Sequence, residues 1–238
     1  MNKKDSQEVV DELKERASPE IAEASARFFK TGPGQYGEGD QFLGIRVGEQ
    51  RKIAAQFQDL PRTQILALLK NPYHECRLTG FLILVRQYEL ASTLAEKEKL
   101  FRFYVKHIDR ANNWDLIDTT AHKIAGAYCW ETQDCTILEQ WCDSRKLWRE
   151  RAAVVATFWF IRHKHMAHTL QFAQRLMNHP HDLIHKAIGW MLREVGKKDS
   201  VTLVTFLDEH YRQMPRTMLR YAIEKFPEPR RKKYLARD

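Results

Sequence analysis

The stretch LWRERAAVVATFWF, residues 147–160, places Arg151 about one turn into a predicted helix, and the same arrangement recurs further along the chain. Lys186 takes this place in HPHDLIHKAIGWML (179–192) and Arg220 takes it in MPRTMLRYAIEKF (214–226), at steps of 35 and 34 residues. A helical pattern with such a period is typical of stacked helix pairs, in which equivalent positions line up along one surface. The sequence therefore predicts an all-α solenoid and directs the search for function to that line of residues.

The same register extends towards the N-terminus. Arg77 in NPYHECRLTGFLIL (71–84) precedes Arg151 by 74 residues, and the midpoint falls on Trp114 in NNWDLIDTTAHKIA (112–125). Because residues four apart share a helix face, we expect Asp118 beside Trp114, and Trp190 beside Lys186. A basic surface that also carries tryptophans and a carboxylate suits an anionic polymer bearing a flat, cationic group.

Composition favours an anionic partner such as nucleic acid. The chain has 238 residues with 39 Lys and Arg against 31 Asp and Glu, a net charge of +8 and a pI of about 9.3. No linker divides it, so we expect one domain over residues 1–238. A basic but otherwise ordinary enzyme is the alternative.

The N-terminal residues contain no apolar signal region, and no stretch is long enough to span a bilayer. We therefore expect a cytoplasmic protein that makes no membrane contact. The four cysteines show neither a CxxC pair nor the density of a disulfide framework, so we expect reduced thiols.

Prolines indicate several helix starts. Pro19, Pro72 and Pro180 each follow a Ser, Asn or His and fit the first helical position, where the missing N–H costs nothing. No convincing alternating strand pattern is present. The prediction is a dozen or more helices.

Two motifs suggest ligands without the context they need. Gly32, Gly34 and Gly37 form a GxGxxG string, but a helical run precedes it where a dinucleotide site needs a strand, so we expect a loop between helices. Histidines cluster at residues 163–168 and 179–185 without a Cys or carboxylate set that completes a tetrahedral pattern. We expect no metal and no cofactor.

Asp118 has no simple capping role. Asn112 can cap its helix and Asp115 can serve the first turn, but Asp118 lies too deep for either. It is either an ordinary solvated residue, a partner for Arg151 of a neighbouring repeat, or a functional carboxylate.

Five stretches together resemble a known family: FLGIR (Phe42–Arg46), NNWDLID (Asn112–Asp118), WRERAAV (Trp148–Val154), HKAIGWMLRE (His185–Glu194) and PRTMLRYAIEKFP (Pro215–Pro227). In this order and spacing they are similar to the AlkD family of DNA alkylation-repair glycosylases. They span most of the chain. The resemblance implies a curved solenoid of HEAT-like repeats whose basic concave face holds duplex DNA, and hydrolysis of the N-glycosidic bond of N3- and N7-alkylated purines.

The resemblance also implies site residues. Trp114, Asp118 and Trp190, with Arg151 beside them, match the family's catalytic cleft. Asn113 stands where some relatives have a second tryptophan, which bears on the range of lesions. The expected DNA-binding residues are Arg46, Arg77, Lys186, Arg193, Arg216 and Arg220.

The expected partner is double-stranded DNA that contains alkylated purines, bound by a monomer. Two alternatives stay open: a non-catalytic relative that binds DNA of unusual shape, and a protein-binding helical scaffold. The retained Asp118 argues against the first alternative, and the basic register argues against the second.

Overall fold

A computed structural model describes residues 5–236, which form fifteen α-helices and no strand beyond one isolated bridge between Gln41 and Tyr73. The all-α prediction is confirmed. None of the helices in this described part is long and apolar enough to cross a membrane. The chain folds into two compact units, one up to Thr120 and one from Ala121.

The first unit contains six helices and most of a seventh, with a short 3₁₀ turn at Ile108–Arg110 before the last. They are α1 (Ser6–Lys14), α2 (Pro19–Phe28), α3 (Val47–Gln56), α4 (Arg62–Leu69), α5 (His74–Leu90), α6 (Leu94–His107) and α7 (Trp114–Ala121). Helix α5 lies at the centre and packs against α3, α4 and α6. It is buried on nearly every side, which explains why its sequence is not clearly amphipathic.

The second unit contains a π-helical segment, His122–Gly126, near its start. The helices that follow are α8 (Ala127–Thr132), α9 (Thr136–Cys142), α10 (Leu147–Arg162), α11 (Ala167–Arg175), α12 (Asp182–Lys198), α13 (Ser200–His210), α14 (Arg216–Ala222) and α15 (Glu228–Ala236). Helix α10 packs against α9, α11 and α12, and α12 packs against α14.

The predicted register is present in the second unit. Arg151, Lys186 and Arg220 are each the fifth residue of their helices, α10, α12 and α14. In α7 the fifth residue is Asp118, whereas Trp114 is the first. The residue halfway between Arg77 and Arg151, Trp114, therefore lies one turn before the position equivalent to Arg151. The reason is that the helices before α10 are not evenly spaced along the chain.

Only one of the three prolines starts a helix. Pro19 opens α2, with Ser18 accepting a hydrogen bond from the Ile21 N–H. The predictions for Pro72 and Pro180 are wrong, because α5 and α12 begin two residues later. The carbonyl of Pro72 instead accepts a hydrogen bond from Arg77.

Candidate functional site

A buried histidine fixes the start of α7 in the first unit. His74, the first residue of α5, is 2% exposed, and its Nδ1 lies 2.9 Å from Asp40 Oδ2 while its Nε2 lies 2.8 Å from Asp115 Oδ2. Burial disfavours the imidazolium, but the hydrogen bonds to Asp115 and Asp40 outweigh it and raise the pKa of His74 to about 9. Both ring N–H groups therefore donate to carboxylates at neutral pH.

Arg77 completes this buried network. Its Nη2 binds Asp40 and lies 3.0 Å from Asn112 Oδ1, and its Nη1 donates to the carbonyls of residues 71 and 72. The side chain is almost fully buried. Burial opposes ionisation of Asp40, but His74 and Arg77 outweigh it and lower the pKa of that carboxyl. Arg77 is thus buried and engaged with groups inside the protein, and its contact with DNA stays a prediction.

Aromatic rings stack on the same histidine. The Phe42 ring lies 4.7 Å and the Phe29 ring 5.0 Å from the His74 ring, centroid to centroid. The Phe29 ring also lies 5.2 Å from the Trp114 ring, centroid to centroid. The Phe28 ring lies 5.7 Å from the Trp114 ring in an edge-on arrangement. The orientation of Trp114 is therefore set by packing on one side, while the residue stays half-buried.

Helix α7 buries one face and leaves another partly open. Leu116 and Ile117 are fully buried, and the buried Thr120 hydroxyl lies 2.9 Å from the Tyr104 hydroxyl of α6. Trp114 and Asp118, one turn apart, are both half-buried. Burial, together with the negative charge of Asp118, raises the pKa of Tyr104, which places that carboxylate near the buried hydroxyl pair. The expected pairing of Trp114 with Asp118 on one side of α7 is present.

The FLGIR stretch forms a tight loop before α3. The buried carboxylate of Glu75 accepts hydrogen bonds from the N–H groups of Leu43, Gly44 and Ile45. Gly44 has φ +84°, and a Cβ there would come within 2.0 Å of the Ser18 carbonyl oxygen. This loop ends at Arg46, the exposed N-cap of α3.

In the second unit Arg151 is buried. It is 4% exposed, and its Nη1 donates to the Leu183 carbonyl in the first turn of α12. The expectation of an open surface position is wrong for this residue, because its guanidinium joins α10 to α12. Its role in a catalytic cleft stays a prediction.

Trp190 belongs to a second aromatic group. It is half-buried on α12, with its ring 6.2 Å from Phe158, and Phe158 meets His122 at 5.4 Å. The preceding Gly189 lets α12 approach α14, since a Cβ there would come within 2.5 Å of the Met218 carbonyl oxygen. The HKAIGWMLRE stretch thus serves close helix packing as well as carrying Trp190.

The remaining basic residues differ in their surroundings. Lys186 pairs with Asp182 at 2.9 Å, and Arg193 pairs with Glu224. Arg216 donates to the Leu235 carbonyl at 2.6 Å, and Arg220 is exposed. Among Arg151, Lys186 and Arg220, which share the fifth position of their helices, Arg220 is thus the exposed residue.

The sequence did not indicate the network that holds α7. Asp115 lies in the first turn of α7 as predicted, and its Oδ2 also binds His74, 41 residues away, which the sequence did not indicate. Asn112 was expected to cap α7, yet its Oδ1 accepts from Arg77. Asn112 and Asp115 in the NNWDLID stretch were the available signal, but their partners Arg77 and His74 lie 35 and 41 residues away in the chain.

The GxGxxG string and the histidine clusters are the two motifs that suggested ligands. The GxGxxG string lies in turns between α2 and α3, with no preceding strand, as expected for a loop. Among residues 5–236, no group of three or more His, Cys, Asp or Glu side chains is placed to hold a metal ion.

Comparison with known proteins identifies the family. The sequence model described as DNA alkylation repair enzyme matches residues 9–226, so the chain belongs to that family. The fold is similar to that of a predicted DNA alkylation repair enzyme from Enterococcus faecalis, with a TM-score of 0.69 and 15% identity, over 90% of this chain and 98% of the other. No curated protein matches the chain.

Proposed function

We propose that this DNA alkylation repair protein is a monofunctional glycosylase that hydrolyses the N-glycosidic bond of cationic N3- and N7-alkylpurines in duplex DNA. The observation that carries the proposal is α7, whose buried ion pairs fix its first turn while Trp114 and Asp118 stay half-buried on its open side. Family membership supports DNA repair as the setting.

The positive charge of the alkylated base limits the chemical steps that the protein must catalyse. An N3- or N7-alkylpurine already carries a positive charge, so the C1′–N9 bond can break with both electrons going to a base that leaves neutral. No general acid is needed. The requirements are stabilisation of the developing positive charge on the sugar and delivery of water to C1′.

A carboxylate at Asp118 meets both requirements. A charge pair at about 4 Å and an effective dielectric near 20 is worth about 4 kcal/mol, and each ~1.36 kcal/mol of barrier is tenfold in rate. Such an interaction supplies roughly a thousandfold if it acts mainly in the transition state. The carboxylate also accepts a proton from the attacking water, and an abasic sugar remains.

Trp114 offers an electron-rich ring face to the cationic nucleotide, worth about 0.5 to 2 kcal/mol. For Trp190 a contact with the nucleotide is proposed on the family resemblance alone. In this proposal the damaged nucleotide rests against the protein surface and the base is not enclosed in a pocket. The exposed Arg46 and Arg220 are the leading candidates for phosphate contacts. Lys186, Arg193 and Arg216 are further candidates.

The direct test is incubation of the purified protein with a duplex containing one N7-methylguanine, followed by detection of free base. Release from the alkylated duplex, and none from the same duplex without the lesion, is the expected result. DNA binding without release would favour a non-catalytic DNA-binding relative. Absence of salt-dependent DNA binding would favour a protein-binding scaffold. A cytoplasmic monomer is part of the same proposal.

A further inference from the structure

A small cavity lies in the second unit, where the last turns of α12 meet α13, the end of α14 and α15. Its volume is about 210 Å³. Since a water molecule takes about 30 Å³ in the liquid, the cavity has room for an anion of the size of a phosphate group. None of the described side chains that line it is acidic, and four are basic: Arg193, Lys197, Lys225 and Arg230.

Two carboxylates pair with three of these basic side chains. Glu224 binds Arg193 Nη1 through Oε2, and its Oε1 lies 3.1 Å from Lys225 Nζ. Glu194 Oε1 lies 2.7 Å from Lys197 Nζ and 3.7 Å from Arg193 Nε. Three positive charges thus share two negative charges, so the paired groups keep one positive charge in excess.

Both arginines at the cavity keep binding capacity. Arg193 Nε is buried and has no hydrogen-bond partner within residues 5–236, because 3.7 Å to Glu194 Oε1 is too long for a hydrogen bond. Buried donors rarely lack a partner, so an anion bound here would complete the bonding of Arg193. Arg230 forms no ion pair in the same part of the chain, and its guanidinium lies 4.6 Å from the centre of the Phe226 ring. Packing on this ring holds a second unbalanced positive charge at the cavity.

The cavity continues the side of α12 that carries Trp190. Arg193 and Lys197 follow Trp190 by three and seven residues, and these spacings place side chains on one side of a helix. A duplex that contacts Trp190 therefore has its backbone directed towards the cavity along α12.

We propose that this cavity binds a phosphate group, supplied either by the DNA backbone beside the lesion or as the free ion. Arginine hydrogen-bonds phosphate oxygens with its planar set of N–H groups, and lysine adds a point charge, so the lining suits this ligand. Arg193 contributes its unpaired N–H, while Arg230 and Lys225 contribute charge. The DNA source rests on the proposed function, whereas binding of the free ion does not.

The first experiment titrates the full-length protein with inorganic phosphate in a calorimeter, in a buffer without other multivalent anions. Wild type should show one site, which Lys225→Gln/Arg230→Gln should weaken about tenfold or more, the scale of a lost hydrogen bond to a charged group. Lys232→Gln/Lys233→Gln is the matched control, because it removes the same charge from exposed side chains of α15 that do not line the cavity. The control should bind phosphate as wild type does.

The second experiment identifies the source of the phosphate group. Affinity for an undamaged duplex is measured by fluorescence anisotropy over a range of salt concentrations. If the DNA backbone occupies the cavity, Lys225→Gln/Arg230→Gln should reduce the slope of log affinity against log salt by about one unit, and the control should not. An unchanged slope together with weakened phosphate binding would assign the cavity to the free ion. Neither experiment involves excision, so failure of the glycosylase proposal would be seen separately.

Two results would overturn the phosphate site. One is that the cavity variant matches wild type in both experiments, and the other is that the control loses as much as the cavity variant. If the double replacement at the cavity unfolded the protein, Lys225→Gln alone provides the same measurements, because the Lys225 side chain is 61% exposed.

Discussion

The Nε2 atom of His74 lies 2.8 Å from Asp115 Oδ2 and joins the first residue of α5 to the second residue of α7. The same ring binds Asp40 through Nδ1, so one buried imidazolium holds two carboxylates. Asp115 lies between Trp114 and the turn that carries Asp118. The position of the proposed catalytic residues on α7 therefore depends on the buried charge of His74, which binds Asp115 in the same helical turn.

His74 should make stability depend on pH in the alkaline range. Its folded-state pKa is about 9 and an unfolded histidine has a pKa of about 6.5. The stabilisation by His74 is fully present below the pKa of the unfolded state. It is lost as the pH rises through the pKa of the folded state. The free energy of unfolding should fall by roughly 1.4 kcal/mol per pH unit between about pH 7 and 9. Urea denaturation across this range measures the slope.

The His74→Gln variant isolates this contribution. It should lose roughly 3 to 5 kcal/mol near pH 7, as expected when one partner of a buried ion pair is removed. The difference between wild type and variant should shrink towards pH 9. Other groups titrate equally in both proteins, so a difference that stays constant with pH would contradict a protonated His74.

Arg220 and Arg151 occupy the same helix position but should respond differently to replacement by alanine. Arg220 is exposed, so Arg220→Ala should leave stability within about 0.5 kcal/mol and reduce the slope of log affinity against log salt by about one unit. Arg151→Ala removes a buried donor from the Leu183 carbonyl and should cost about 2 kcal/mol or more. Paired denaturation and DNA-binding titrations separate the two effects. If Arg220→Ala and Arg151→Ala lost the same free energy of unfolding, the assignment of Arg151 as buried and Arg220 as exposed would be contradicted.

Gly189 should not tolerate a methyl group. Its Cβ would come within 2.5 Å of both the Met218 carbonyl oxygen and the Tyr221 Cβ, so Gly189→Ala must push α14 away from α12. We expect a loss of about 1 to 3 kcal/mol or more. Gly48→Ala in α3 is the matched control, because nothing lies within 4 Å and helix propensity favours alanine by about 1 kcal/mol. Similar thermal midpoints for the two variants would contradict the close packing.

Trp114 should contribute to excision through its ring face. Trp114→Ala should lower the single-turnover rate by about 2-fold to 30-fold, the equivalent of losing about 0.5 to 2 kcal/mol of cation–π attraction. Trp114→Phe keeps an aromatic ring beside Phe28 and Phe29 and should lose less. If the alanine variant excised a cationic purine at the wild-type rate, stacking by Trp114 would have no part in the reaction.

The repeat could be predicted from the sequence because helical periodicity is a local property. Lys186 and Arg220 fall at the fifth position of their helices as the spacing indicated. Burial was not readable, since a basic residue in register can either face solvent, as Arg220 does, or bind a carbonyl inside, as Arg151 does. The link from His74 to Asp115 joins residues 41 apart and has no local pattern.

The same limit applies to the helix starts. Pro19 follows a serine that caps α2, so the local signal was sufficient. At Pro72 the backbone carbonyl is bound by Arg77, and α5 starts only after this contact. The contact of the Pro72 carbonyl with Arg77, five residues further on, is not visible in the proline pattern.

The central claim is that the negative charge of Asp118 drives base release, and single-turnover excision by Asp118→Asn on an N7-methylguanine duplex tests it most directly. The variant keeps size and hydrogen-bonding capacity, so binding to the same duplex should survive or increase. Release of the free base should fall by roughly two to three orders of magnitude, the scale of losing a preorganised electrostatic contact. Wild-type release by the variant would contradict the account, and loss of binding together with release would assign Asp118 a structural role instead.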